Sequence, residues 1–239
     1  MKEMHYSDFV EVYEKLFATT KRLEKEKILA DFLRVLEKSG ESEWIYLLRG
    51  RVFPDYDERE FGVSTQLAIK AISFAFGIGD DEIHKEYKKV GDFGEIAEKF
   101  AGKKKQSNLF SSKLTVRKVF SNLQKLFDAQ GKGAVKGKID LIAELLGSAS
   151  GKEAKYIVRT LLGQLRVGVA DGILRDAIAQ AFFPGEKEMA EKVGAAFDML
   201  NDFAAIFDAA KKGGKELDKT EVVLGRPISV MLPVKVIDI

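Results

Sequence analysis

Cysteine is absent from the 239 residues, which excludes disulfides and thiolate metal sites. Histidine occurs only at His5 and His84, too far apart for a local metal-ligand pattern, and both are expected to be surface or capping residues. Proline is nearly missing: of the four, at positions 54, 184, 227 and 233, two fall in the last thirteen residues, so helices can run through most of the chain. No stretch approaches the roughly 20 apolar residues of a membrane helix. The N-terminus mixes acids and bases where a signal peptide would be apolar. A cytoplasmic protein without a membrane partner is expected. High Lys and Glu with no Cys suits a thermophile.

What is present is enough for a core. Hydrophobic residues make up 46% and charged residues 32%, a balance that disfavours disorder. The length suits one large domain or two small ones. Helical spacing dominates: Tyr13, Leu16, Phe17; Ile28, Leu29, Phe32, Leu33, Leu36; Ile139, Ile142, Leu145, Leu146; and Ala196, Phe197, Leu200, Phe203, Ala204, Phe207 all follow i, i+3, i+4. Short Gly and Ser clusters punctuate these runs. The expected fold is all-α, with about 10–13 helices over residues 1–215. After Lys211-Lys-Gly-Gly-Lys215 the composition turns β-branched, from Val222 to Ile239. Residues 216–239 are expected to form a linker and a first β-strand of a following domain.

A faint repeat recurs at an offset of 113 residues, with Ile28–Leu33 over Leu141–Leu146 and Leu48-Arg49-Gly50 over Leu161-Leu162-Gly163. It is either chance similarity between amphipathic helices or a sign of two similar helical halves. A helical-repeat scaffold for proteins would need a regular period of roughly 30–45 residues, which this single offset does not supply.

Net charge is only +2, but it is unevenly spread. Residues 101–138 hold ten basic side chains against the single acid Asp128, a balance of +9 that leaves −7 for the rest. Segregation of this kind is what a polyanion-binding surface needs. Two glycine loops open helices beside lysines: Gly131-Lys132-Gly133 with Lys136 and Lys138, and Gly151-Lys152. Neither has the spacing of a nucleotide-binding P-loop. Each could instead offer backbone N–H groups to a DNA phosphate, or be an ordinary capped helix start. No nucleophile–histidine pair and no metal-ligand cluster is apparent, and no catalytic or metal-binding residue is assigned. Lys138-Ile-Asp140-Leu141 comes within one residue of the Lys-x-Asp-Gly signature of covalent nucleotidyltransferases, but it lies inside an amphipathic helix.

Several segments together resemble archaeal and eukaryotic ATP-dependent DNA ligases, the archaeal form most closely. Glu153–Gly168 is similar to the family's arginine helix and its Leu-Arg-Ile/Leu-Gly turn. Gly50-Arg-Val-Phe-Pro54 with Phe61-Gly-Val63, Gly91-Asp-Phe-Gly94 and Leu114-Thr-Val116 follow in the family's order, and Gly225–Leu232 resembles the segment leading into the adenylation domain. The resemblance implies a helical domain that grips nicked double-stranded DNA through phosphates and the minor groove, without reading bases. It places Gly163, Gln164, Arg166 and Gly168 at the minor groove, and Thr20, Lys21 and Arg22 at a phosphate. The parent enzyme would use ATP and Mg2+ in replication and repair, acting on the nucleoid. Its Lys-x-Asp-Gly lysine does not occur in these residues, so the chain is expected to bind DNA and not to seal it.

Gln106-Ser-Asn-Leu109-Phe110 resembles a shortened peptide that binds the sliding clamp (PCNA), with Gln106, Leu109 and Phe110 as its anchors. The alternative is that Leu109 and Phe110 pin the loop to the helical core. A standalone DNA- and clamp-binding adaptor is the rival to a ligase fragment. A monomer is the expected state.

Overall fold

The structure, a computed structural model, describes residues 3–102 and 113–227. Among these, the chain folds into α-helices joined mostly by short turns, with a 3-10 helix over Ser42–Arg49 and a longer non-helical stretch over residues 50–64. The helices group into two compact units. Unit 1 comprises residues 1–20, 46–52 and 59–168, and unit 2 comprises residues 21–45, 53–58 and 169–239.

Unit 1 contains α1 (Tyr6–Phe17), α3 (Thr65–Phe76), α4 (Asp80–Val90), α5 (Phe93–Ala101), α6 (Val116–Asp128), α7 (Ala134–Ser148) and α8 (Gly151–Leu161). An aromatic column runs through it: Tyr6 stacks on Phe9, Phe9 meets Tyr13, and Tyr13 packs on Tyr156 with ring centroids 4.9 Å apart. The i, i+3, i+4 spacing of Tyr6, Phe9 and Tyr13 puts all three rings on one face of α1. Buried Tyr13 donates its hydroxyl to the Leu47 carbonyl at 2.8 Å, as a buried tyrosine must find an acceptor. A single antiparallel bridge, His5 to Thr115, ties the start of α1 to the start of α6.

Unit 2 contains α2 (Arg22–Glu37), α9 (Asp171–Phe182), α10 (Lys187–Leu200), α11 (Phe203–Lys212) and the short α12 (Gly214–Leu217). Leu29, Phe32, Leu33 and Leu36 on α2 are buried, as are Leu174, Ala177, Ile178 and Ala181 on α9, the helix that α2 packs against. Arg34 locks the pair by donating to the Ala181 and Gln180 carbonyls at 3.0 and 2.8 Å, at the end of α9 where carbonyls lack helical partners.

Local geometry recurs between the two halves of the sequence. Gly50 and Gly163 both end helices in the left-handed region, at φ +70° and +65°. The amides that follow them reach back five residues, Arg51 to Tyr46 and Gln164 to Arg159. Likewise Gly91 and Asn201 are left-handed, and Asp92 and Asp202 after them cap α5 and α11. The repeated elements are shared out between units: α2 packs on α9, while α7, which carries the segment aligned with α2, packs on α3.

The expected C-terminal β segment is not found; the described fold is all-helical, with no strand among the described residues. Gly225 adopts φ +84° and the Arg226 amide bonds the Val223 carbonyl at 3.1 Å, so β-branched Val222 and Val223 lead into a local turn. A strand needs a neighbouring strand for its backbone groups, and there is none among the described residues. Residues 228–239 lie outside the described residues.

Asp92 is buried against Arg159, which is itself 3% exposed, and the two meet at 2.8 Å. Replacing Asp92 with Ala leaves that guanidinium uncompensated and removes the α5 cap. We expect a loss of about 3–5 kcal/mol in urea-unfolding free energy, measured by circular dichroism. A change below about 1 kcal/mol would show that the pair is not a structural keystone.

Candidate nucleic-acid interface

The turn after α8 is built from the helix upward. Ser150 caps α8 and Glu153 returns its carboxylate to the Ser150 amide at 2.7 Å, a reciprocal capping box that fixes where the helix begins. Arg159, near the other end, is buried and donates through Nε and Nη2 to Asp92. Its guanidinium carbon lies 5.6 Å from the Phe17 ring and 5.7 Å from the Tyr156 ring, so aromatic faces share the burial of its charge. Gly94 leaves room for this contact: a Cβ there would lie 2.8 Å from both the Arg159 side chain and the Lys155 carbonyl.

Beyond Leu161 the chain alternates inward and outward. Leu165 and Val167 are buried, whereas Gly163, Gln164, Arg166 and Gly168 are exposed. Three residues of this turn are left-handed: Gly163, Arg166 and Gly168 at φ +65°, +56° and +68°. For arginine this conformation is costly, of order 1 kcal/mol. The buried Leu165 and Val167 on either side hold it there. Arg166 places Nη1 3.5 Å from Asp92 Oδ2 and Nη2 3.3 Å from Gln164 Oε1. Burial pushes the Asp92 carboxyl up, but donation and charge from Arg159, with the Gly94 and Glu95 amides, outweigh it and hold the pKa below the usual range. Asp92 thus stays charged at the centre of an arginine cluster. In the sequence Asp92 stands only as part of Gly91-Asp-Phe-Gly94; the signal for its capping role is an Asp directly after a glycine and before an apolar helical run.

The basic loop before α7 differs from the loop before α8. Gly131 and Gly133 are left-handed and exposed, no side chain caps the helix, and Lys132 and Lys136 project into solvent. Lys138 is occupied elsewhere: its ammonium donates to the Phe61 carbonyl at 2.8 Å and the Gly62 carbonyl at 3.4 Å, pinning that loop. At α8, by contrast, Gly151 starts a helix whose cap position is already filled by Ser150. Lys152 pairs with Glu14 at 2.8 Å.

Thr20 is exposed at the end of its segment of unit 1. In unit 2, Lys21 pairs with Glu24 at 2.8 Å, and Arg22 bridges Glu26 at 2.7 Å and Asp176 at 2.5 Å. The exposed Lys21–Glu24 pair is worth only about 0–1 kcal/mol, whereas Arg22 also serves Glu26, which is buried. Gln106, Leu109 and Phe110 lie outside the described residues. Among the described residues no group of three or more His, Cys, Asp or Glu side chains could hold a metal ion, and no helix is long and apolar enough to cross a membrane.

Comparison with known proteins bears on what such a surface does. The family described as DNA ligase N terminus matches residues 5–179. A DNA ligase of Thermococcus fumicolans is 42% identical over 230 residues, covering 96% of this chain and 40% of that protein. A DNA ligase of Methanothermobacter thermautotrophicus is 43% identical over 233 residues, covering 97% and 41%. One of Nanoarchaeum equitans is 37% identical over 233 residues, covering 97% and 40%. The chain spans about two fifths of the length of these curated relatives.

Two outcomes follow from the geometry. Burial raises the Glu14 pKa, but hydrogen bonds from Lys152 and Tyr156 and the Lys155 charge override that and bring it to about 2. A depressed carboxylate stabilises the fold above its unfolded pKa, so this contribution is present at neutral pH and is lost as pH falls from about 4.5 towards 2. Glu14→Gln should flatten the acid limb of a stability-versus-pH curve; an unchanged limb would refute the assignment. Lys138→Ala should lower thermal stability by loosening residues 61–62, seen as faster amide exchange there.

Proposed function

This chain belongs to the DNA ligase family, as an N-terminal domain of the archaeal type, and on that premise we propose that it grips nicked double-stranded DNA for the parent enzyme. The observation that carries this reading is the turn of residues 163–168. Two glycines remove side chains where the backbone must approach a groove. Between them, Gln164 and Arg166 point outward from buried Leu165 and Val167. A guanidinium on such a turn suits a minor groove, whose potential attracts arginine irrespective of base sequence.

Phosphate contacts would position the duplex. Lys132 and Lys136, beside a helix start without a side-chain cap, are the strongest candidates. Gly131 and Gly133 let that backbone approach. Lys21, Arg22 and Lys152 are secondary contacts, because their charges must first leave acidic partners, and Thr20 and Gly151 are uncharged contacts beside them. Lys138 contributes by holding its neighbouring loop.

ATP and Mg2+ belong to the reaction of the parent ligase, which would seal nicks in replication and repair on the cytoplasmic nucleoid. The residues present do not fit a nucleotidyl-transfer centre. Lys138 and Asp140, the nearest match to the lysine signature, lie within helix α7, and Lys138 is bound to carbonyls. No step through ATP is assigned to this chain. Gln106, Leu109 and Phe110 are proposed to bind the sliding clamp, and replacing Leu109 and Phe110 with Ala should abolish that binding while leaving the circular dichroism spectrum intact.

DNA affinity measured by fluorescence anisotropy should fall steeply with salt and vary little between duplex sequences. Arg166→Ala should weaken binding about tenfold on all sequences alike. Lys132→Ala and Lys136→Ala should each reduce the slope of log affinity against log salt by about 1, whereas Lys138→Ala should leave it unchanged. Affinity that is insensitive to salt would sink the reading.

A further inference from the structure

Asp202 of unit 2 repeats the capping arrangement of Asp92 and also faces a guanidinium. In each, Oδ1 accepts the two amides that open the following helix: Gly94 and Glu95 at 2.8 and 3.2 Å, and Ala204 and Ala205 at 3.0 and 3.2 Å. In each, Oδ2 faces a guanidinium, Arg159 for Asp92 and Arg226 for Asp202. The source of the guanidinium differs. Arg159 belongs to α8, the helix that ends at left-handed Gly163. The residue at the corresponding place before left-handed Gly50 is the uncharged Tyr46, as the matching amide bonds Arg51 to Tyr46 and Gln164 to Arg159 show. At Asp202 a guanidinium comes from Arg226, in the segment that follows α12.

We propose that Arg226 anchors the exit segment of residues 221–227 onto unit 2, through the carboxylate of Asp202 and the ring face of Tyr56. Arg226 Nη1 lies 3.8 Å from Asp202 Oδ2. Its guanidinium carbon stands 4.7 Å from the Tyr56 ring centroid, well within cation–π range. Arginine suits both contacts at once, since its planar group can stack on a ring while an edge faces a carboxylate. Asp202 is 6% exposed, so a cation beside it offsets the cost of burying its charge. The backbone delivers the side chain through a closed turn: Arg226 N bonds the Val223 carbonyl, and left-handed Gly225 makes the reversal. At the tip of this turn Leu224 is fully in solvent. Arg226 is thus a side-chain tie between residues 221–227 and the body of unit 2.

The Arg226 anchor lies within unit 2 and does not depend on DNA binding, so either can fail without the other. In the 239-residue chain, NMR should show the Arg226 side-chain methylene protons shifted upfield by the Tyr56 ring, and the shift should vanish in Tyr56→Leu. Arg226→Ala should speed amide exchange at residues 223–226 about threefold to fivefold, with the α10 and α11 amides unchanged; Arg226→Lys should lie between. If Arg226→Ala unfolds unit 2, the wild-type ring-current shift and its loss in Tyr56→Leu decide the matter. A wild-type Arg226 with no ring-current shift, or exchange at 223–226 equal in wild type and Arg226→Ala, overturns the anchor.

Discussion

The carboxylate of Asp92 is the charge around which unit 1 is arranged. One oxygen holds the first amides of α5, and the other takes the buried Arg159 of α8 in a two-donor contact, with Arg166 at its edge. Neither charge could be buried alone, since an isolated ion in the interior costs several kcal/mol. Together they fix the register of α8 on α5, because a slide of one helical turn would move each group away from its partner. Gly94 permits the close approach, and the Phe17 and Tyr156 rings cover the guanidinium. The pair specifies alignment more than it adds net stability.

That alignment matters because α8 ends in the turn presented to solvent. A left-handed arginine is unfavourable by itself and persists only where its surroundings determine the backbone. Leu165 and Val167 do so by being buried on either side of it. The turn thus carries two glycines and a half-exposed guanidinium on a backbone set by its buried neighbours. The remaining basic residues fall into different situations. Lys132 and Lys136 stand in solvent, Lys152, Lys21 and Arg22 are paired with carboxylates, and Lys138 is tied to carbonyls. Equal formal charges thus differ in what must be given up before a phosphate can be met.

Much of this was legible in the residues. Apolar spacing marked the helices, since periodicity reports directly which face is buried. The glycines flanking Arg166 marked the turn, and the repeat at 113 residues coincided with matched left-handed glycines at positions 50 and 163. The β-branched stretch from Val222 misled: composition favours a strand, but Gly225 and a local hydrogen bond turn the described part back on itself. That Lys138 is tied to carbonyls was not legible in the sequence, because those carbonyls come from residues 61 and 62. Asp92 stood in a recognisable motif, yet its arginine partners lie 67 residues and more away along the chain.

By itself the sequence determined the helical character, the lack of thiolate and disulfide chemistry, the concentration of positive charge and the family. These depend on composition and on patterns a few residues long, where side-chain chemistry and helical period suffice. The tertiary structure alone decided which lysines face solvent, which acid neutralises the buried arginine, and how the chain distributes its helices between two units. Those outcomes depend on contacts between residues distant in the chain, for which short-range pattern carries no information.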